Sequence, residues 1–105
     1  MKHEVREVEG RVVVLLEGEI DLDASPALRE LLLARVEDAA VLHVELGAVT
    51  YIDSSGIAIL VETFQAARRL THEFALVGVS DAVARVLELA RLDQVFTVLG
   101  ADGCA

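Results

Sequence analysis

Apolar and polar positions along the chain alternate between a repeat of two and a repeat of 3.6 residues, which is the signature of strands interleaved with helices. Residues 3–8 read as a short, charged edge strand, and Glu9-Gly10 reads as a tight turn. Val12 to Leu16 is an unbroken apolar run rich in β-branched residues. It predicts a strand over 11–17 that is buried on both faces. Residues 18–23 read as a polar exit loop. Ser25-Pro26 is a helix start, with Ser as N-cap and Pro at the first helical position. Leu28, Leu31, Leu32 and Val36 keep helical spacing to about Glu37. Val41 to Leu46 predicts the next strand, and Gly47 to Thr50 a turn. After Tyr51-Ile52 and Asp53-Ser54-Ser55-Gly56, a second helix is predicted to Leu70. Its inward stripe is Ile57, Leu60, Val61 and Phe64, at i, i+3, i+4 and i+7. Phe74 to Val77 predicts a strand. Ser80 reads as the cap of a third helix that turns Val83, Val86, Leu87 and Ala90 inward. Val95 to Leu99 predicts a last strand, and residues 100–105 a tail.

The order β-β-α-β-α-β-α-β predicts an α/β fold with a mixed β-sheet and helices packed against it. The first two strands should form an antiparallel hairpin. Each β-α-β connection should be a right-handed crossover between parallel neighbours. Loops that follow the strands then gather at one end of the sheet, where sites form. The segment 19–23 and the segment Asp53 to Gly56 both belong to that end.

The chain has 105 residues, the size of one domain, and 54% of them are hydrophobic, enough for a core without disulfides. Its one cysteine, Cys104, has no partner within the chain and reads as an incidental tail residue of a protein from a reducing compartment. The net charge of −9 argues against nucleic acid and anionic lipid, which are polyanions, and suits a basic protein partner. Met1-Lys2-His3-Glu4 lacks the apolar run of a signal peptide, and no apolar run approaches the roughly 20 residues that span a bilayer. The expected location is the cytoplasm.

Asp53-Ser54-Ser55-Gly56 is the most informative stretch. Two serines at the mouth of a helix, after an acid and before a glycine, first suggest capping of free backbone N–H groups. One cap does not need two serines. If Ser54 caps, Ser55 stands at the first helical position with its hydroxyl near solvent. A phosphate there would meet free N–H groups and the positive end of the helix dipole.

Tyr51-Ile52-Asp53-Ser54-Ser55-Gly56-Ile57-Ala58-Ile59-Leu60 resembles the signature of the STAS domain family. The resemblance continues in Gly18-Glu19-Ile20-Asp21, Ser25-Pro26-Ala27-Leu28, Leu76-Val77-Gly78-Val79-Ser80, Val86-Leu87-Glu88-Leu89 and Leu92-Asp93 with Phe96, in the family's order. What it implies is a free-standing bacterial anti-sigma factor antagonist, not an enzyme, with no cofactor. The unphosphorylated form would bind an anti-sigma factor that is also a serine kinase and so free the sigma factor. Phosphorylation of Ser55 would end binding, and a serine phosphatase would reset it. Asp53, Ser54 and Gly56 would form the cap and switch loop, with Asp21 beside it. Three features depart from the family: the further helix that many members carry after the last strand is not expected here, Glu45 stands where Asp is common, and Arg91 where Gly is usual.

Asp21, Asp23, Ala58, Ile59 and Glu62 are expected partner contacts. Ala58, Ile59, Glu62, Gln65 and Arg69 fall opposite the inward stripe, so Ile59 is an apolar residue on a face expected to be wet. An enzyme fits less well. Asp21, Asp23 and Asp53 could hold Mg²⁺ or take a phosphoryl group, but such sites want a nearby lysine and Lys2 is the only one. His3, His43 and His72 lie on or beside strands and none reads as a base for Ser55. No Cys/His cluster suggests a metal. The alternative within the family is an accessory subunit of a lipid or anion transport system, or a component of a stress-signalling scaffold.

Overall fold

A computed structural model of the chain describes residues 1–100. The expected tail falls almost wholly outside the described residues, as does Cys104. Strands β1 (Lys2–Val8) and β2 (Arg11–Ile20) are followed by α1 (Ser25–Asp38), β3 (Val41–Ile52), α2 (Ser54–Leu70), β4 (Glu73–Val77), α3 (Asp81–Leu89) and β5 (Thr97–Leu99). The strands lie in one sheet in the order β1-β2-β3-β4-β5. Only β1 is antiparallel to its neighbour; the other pairs are parallel. The hairpin turns on Glu9 and Gly10, both with positive φ. This is the mixed sheet that the alternation of periods predicts.

Register explains the core. Val14 pairs with Val44, and Val44 with Leu76, so these three point to one face and are fully buried. Their alternates on β2 and β3, Val13, Leu15, His43 and Glu45, are only half-buried. The apolar run in β2 is therefore not buried on both faces. The main core collects on one face, where Leu28, Leu32 and Val36 of α1 and Leu60 of α2 join it.

Two predicted breaks are not breaks. Residues 18–20 stay in β2 and pair with Val49, Tyr51 and Ile52, and 47–50 stay in β3. Register shifts between Leu15 and Glu17 and between Gly18 and Glu19 absorb the polar and glycine positions that look like loops. At the other end β5 is shorter than predicted, because Val95 and Phe96 close a turn onto Leu92.

The helix starts also differ from expectation. Ser25 does not cap α1; its hydroxyl donates to the carbonyl of Leu22 at 2.9 Å, while Ala24 holds the cap position without a side-chain bond. Asp21 does the local work instead: its carbonyl accepts from Ala24 and Ser25, and its carboxylate accepts from Ala24 N–H. Ser80 caps α3 as predicted, accepting from Val83 N–H at 3.3 Å. Val83 and Leu87 are buried, Val86 is half-buried, and Ala90 is exposed at the C-cap rather than inward.

The inward arc of α2 is displaced from the predicted stripe. Ile57 and Leu60 are buried, but Val61 and Phe64 are only half-buried. Gly56, Ile59, Thr63, Ala66 and Ala67 are buried instead. Packing against both the sheet and α1 widens the buried arc beyond one stripe. Thr63 joins it by donating its hydroxyl to the Ile59 carbonyl.

Candidate functional site

The strand ends of β2 and β3 meet where Asp53 N–H donates to the Ile20 carbonyl at 3.2 Å. That bond fixes the start of α2. Asp53 is extended (φ −107, ψ −173) and is the N-cap. Its Oδ1 accepts from Ser55 N–H at 2.9 Å, from Gly56 N–H at 3.3 Å and from the Ser55 hydroxyl at 2.5 Å. The capping serine expected at Ser54 is thus replaced by the acid before it. An aspartate satisfies two N–H groups and a hydroxyl with one charged oxygen, which a serine cannot do. Ser54 is left exposed as the first helical residue, and Ser55 is half-buried in the first turn.

The Ser55 hydroxyl bond is the largest influence holding the Asp53 carboxyl below the ordinary aspartate range. Backbone N–H groups of Gly56, Ser55 and Leu22 add to it, against the opposing effect of desolvation. Gly56 serves a different end. A Cβ at this position would sit 2.7 Å from Ile20 Cγ2 and 2.8 Å from Ile52 Cγ1. The glycine lets the first turn of α2 press onto the buried ends of β2 and β3.

Both α1 and α2 cross over between parallel strands, so they run side by side in the same direction. Ser25, Pro26 and Arg29 of α1 face Ser55, Ala58, Ile59 and Glu62 of α2 across an open groove. Arg29 closes it with a bidentate ion pair, Nε to Glu62 Oε1 and Nη2 to Glu62 Oε2, both 2.8 Å. The hydrogen bond from Arg29 holds the Glu62 carboxyl low, and its counterpart raises the guanidinium.

The expected contact residues therefore separate. Ala58 is exposed and Glu62 is half-buried along the same groove, Asp23 is exposed on the neighbouring loop, and Asp21 is turned into that loop as its staple. Ile59 is 6% exposed, so it is not an apolar residue on a wet face; it lies at the floor of the groove shared with α1. The most exposed apolar side chains at this end of the sheet are Leu22 (71%) and Tyr51 (49%), which sequence reasoning missed; Met1, beside Gly18, is 36% exposed. Leu22 lies alone between Asp21 and Asp23, and Tyr51 directly precedes the buried Ile52. That isolation was the available signal.

None of the residues lining the groove is a histidine, lysine or cysteine. His43 lies within β3, where burial first and Arg11 second push its imidazole below the ordinary value. His72 uses Nδ1 on the Val36 carbonyl. Among the described residues no group of three or more His, Cys, Asp or Glu could hold a metal ion, and no helix is long and apolar enough to cross a membrane.

A family model for the STAS domain matches residues 2–101. The chain belongs to the STAS domain family. An anti-sigma-B factor antagonist of Listeria monocytogenes is 31% identical over 91 residues, which cover 86% of this chain and 80% of that one. The crystal structure of an anti-sigma factor antagonist from Mycobacterium paratuberculosis superposes with a TM-score of 0.85 at 32% identity, covering 92% of this chain and 83% of that one. The Bacillus cell fate determinant SpoIIAA in its phosphorylated form has a TM-score of 0.76 at 17% identity, covering 95% and 91%, and so shares the fold.

Proposed function

We propose that this STAS protein is an anti-sigma factor antagonist whose binding is switched off by phosphorylation of Ser55. The observation that carries the proposal is the Ser55 hydroxyl itself. It sits in the first turn of α2, held by the Asp53 carboxylate, at the mouth of the groove between α1 and α2. Relatives at about this level of identity are antagonists by name, and one more distant member of the fold has been solved phosphorylated.

The physics suits a switch rather than a scaffold. A phosphoserine adds about −1.5 to −2 charges. At the N-terminus of a 17-residue helix that charge is compatible with the fold. Beside Asp53, Asp21 and Asp23 it adds to an already negative surface, and a docked partner would lose contact with it. The partner is an anti-sigma factor with serine kinase activity, which supplies ATP chemistry that this chain lacks; a serine phosphatase reverses it, and the cycle runs in the cytoplasm. Its docking face would match the exposed Leu22 and Tyr51 with apolar surface and the loop acids with arginine or lysine.

The test is phosphosite mapping after incubation with the kinase-type anti-sigma factor of the same genome and ATP, with binding measured on both forms. Phosphate on Ser55 and loss of binding are expected. Ser55→Ala should bind and resist phosphorylation, and Ser55→Glu should fold and bind poorly. A phosphorylated form that binds as tightly as the unmodified one would sink the switch.

A further inference from the structure

We propose that Arg29 is the receptor for a phosphate on Ser55: the guanidinium leaves Glu62 and pairs with the phosphoserine one turn away along the same groove. The inference rests on the reading of Ser55 as the modified residue and adds what the modified group does next.

Arg29 is the only cationic side chain among the residues lining the groove that Ser55 enters. Ser55 and Glu62 are seven residues apart on one helix, about 10.5 Å along its axis, and both face α1. Ser25, Pro26 and Arg29, the last one turn further along α1, line this groove together with Ser55 and Glu62. Arg29 bonds Glu62 on one side in the unmodified protein. The same long side chain, swung along the groove away from Glu62, would approach Ser55, which lines the same groove.

Chemistry drives the exchange. Phosphorylation replaces the Ser55 hydroxyl hydrogen, so the Oγ loses the bond it donates to Asp53 Oδ1. The new group is then a dianion next to a carboxylate, and the two repel. The phosphate rotates away from Asp53 and toward the groove. There it offers a planar guanidinium three oxygens and nearly two charges in place of the one charge of Glu62. The pair with Glu62 is solvent-exposed, with side-chain exposures of 57% and 39%, so little holds Arg29 where it is. After the exchange the groove mouth is bridged by Arg29 and the freed Glu62 carboxylate faces solvent. Both changes alter the surface that an unphosphorylated partner would read.

The test uses full-length protein with phosphoserine incorporated at position 55 during synthesis, so neither kinase nor partner is needed. The second ionisation of the phosphoserine, ordinarily near pH 6, is followed by ³¹P NMR. A guanidinium in contact favours the dianion. Against Arg29→Gln, the wild-type group should titrate roughly half a pH unit lower. Glu62→Gln, which releases Arg29, should lower it further. Arg35→Gln, removing an arginine of the same helix outside the groove, should leave it in place. Equal values in wild type and Arg29→Gln would overturn the proposal, as would an equal rise in Arg29→Gln and Arg35→Gln, which would report only the general field. Circular dichroism melts confirm that each variant is folded. Because binding is not measured, a failure here leaves the Ser55 switch standing, and a failure of the switch leaves this pairing measurable.

Discussion

The Ser55 hydroxyl donates to Asp53 Oδ1 at 2.5 Å, and the same oxygen caps the helix through the N–H groups of Ser55 and Gly56. One carboxylate thus holds the modifiable hydroxyl and starts the helix that presents it.

That sharing gives a titration test. Asp53 is held below its ordinary value of 3.8, chiefly by the Ser55 hydroxyl. A carboxyl with a lowered folded pKa stabilises the fold above its unfolded value, and the contribution is lost as pH falls through the folded value. Ser55→Ala removes the main cause. The Asp53 carboxyl, followed by ¹³C NMR, should move up. The acid limb of the melting-temperature profile should lose part of its slope below about pH 4.

Capping separates the two candidate residues. Asp53→Ala leaves two first-turn N–H groups unpaired and should destabilise by about 1 kcal/mol, within the range of 0.5–2 for lost caps. Ser54→Ala changes an exposed residue that makes no cap bond and should stay within about 0.5 kcal/mol. Urea unfolding of the two variants reads the difference directly. A larger loss for Ser54→Ala would mean that the cap is misassigned.

At Gly56 two opposing effects meet. Alanine would gain about 1 kcal/mol of helix propensity. Its Cβ would stand 2.7–2.8 Å from methyl and methylene carbons of Ile20 and Ile52, which are 0% and 3% exposed and have nowhere to go. Overpacking of this kind costs about 1–3 kcal/mol. Gly56→Ala should therefore lower the melting temperature, and Gly56→Val should lower it more. An unchanged or raised value would show that α2 lifts off the strands freely.

The burial of Ile59 and the exposure of Leu22 and Tyr51 divide stability from recognition. Ile59→Asp should unfold or strongly destabilise the protein, because it buries an unpaired charge. Leu60→Ala, at a fully buried site, should cost about 2–5 kcal/mol. Leu22→Asp and Tyr51→Ser should leave melting nearly unchanged and weaken binding of the anti-sigma factor in calorimetry. Intact binding in both would move the contact surface away from this end of the sheet.

His43 provides a pH dependence near neutrality. Burial, then Arg11, hold its imidazole below 6.5, outweighing Glu73 and Glu45. The unfolded chain takes up that proton first, so stability should decline as pH drops below about 6.5 and level off below the folded value. His43→Gln should flatten that part of the curve. A curve of the same slope would place the titrating group elsewhere.

Much was legible from the residues alone. The extent of α2, the hairpin and the cap at Ser80 follow from short-range rules: period, turn residues and capping chemistry act within a few positions. The Asp53-Ser54-Ser55-Gly56 motif was visible for the same reason, together with its place at a helix start. Which of three adjacent polar residues caps was not. Asp53, Ser54 and Ser55 are all competent, and the choice depends on the bond from Asp53 N–H to Ile20, 33 positions away.

Long-range pairing decided the rest. Gly18 and Gly47 carry the local signature of loops, yet the β2–β3 ladder runs past both, because register shifts accommodate them and the bonds to a neighbouring strand outweigh their weak propensity. Periodicity placed Ile59 on the outside because a single helix has one inward stripe; contact with α1 as well as the sheet gave α2 a second. The Arg29–Glu62 pair spans 33 residues and has no local signal at all. The sequence by itself determined which elements form and where the modifiable serine stands, since those depend on neighbours along the chain. Only the tertiary structure decided what surrounds that serine, since burial and charge pairing depend on neighbours in space.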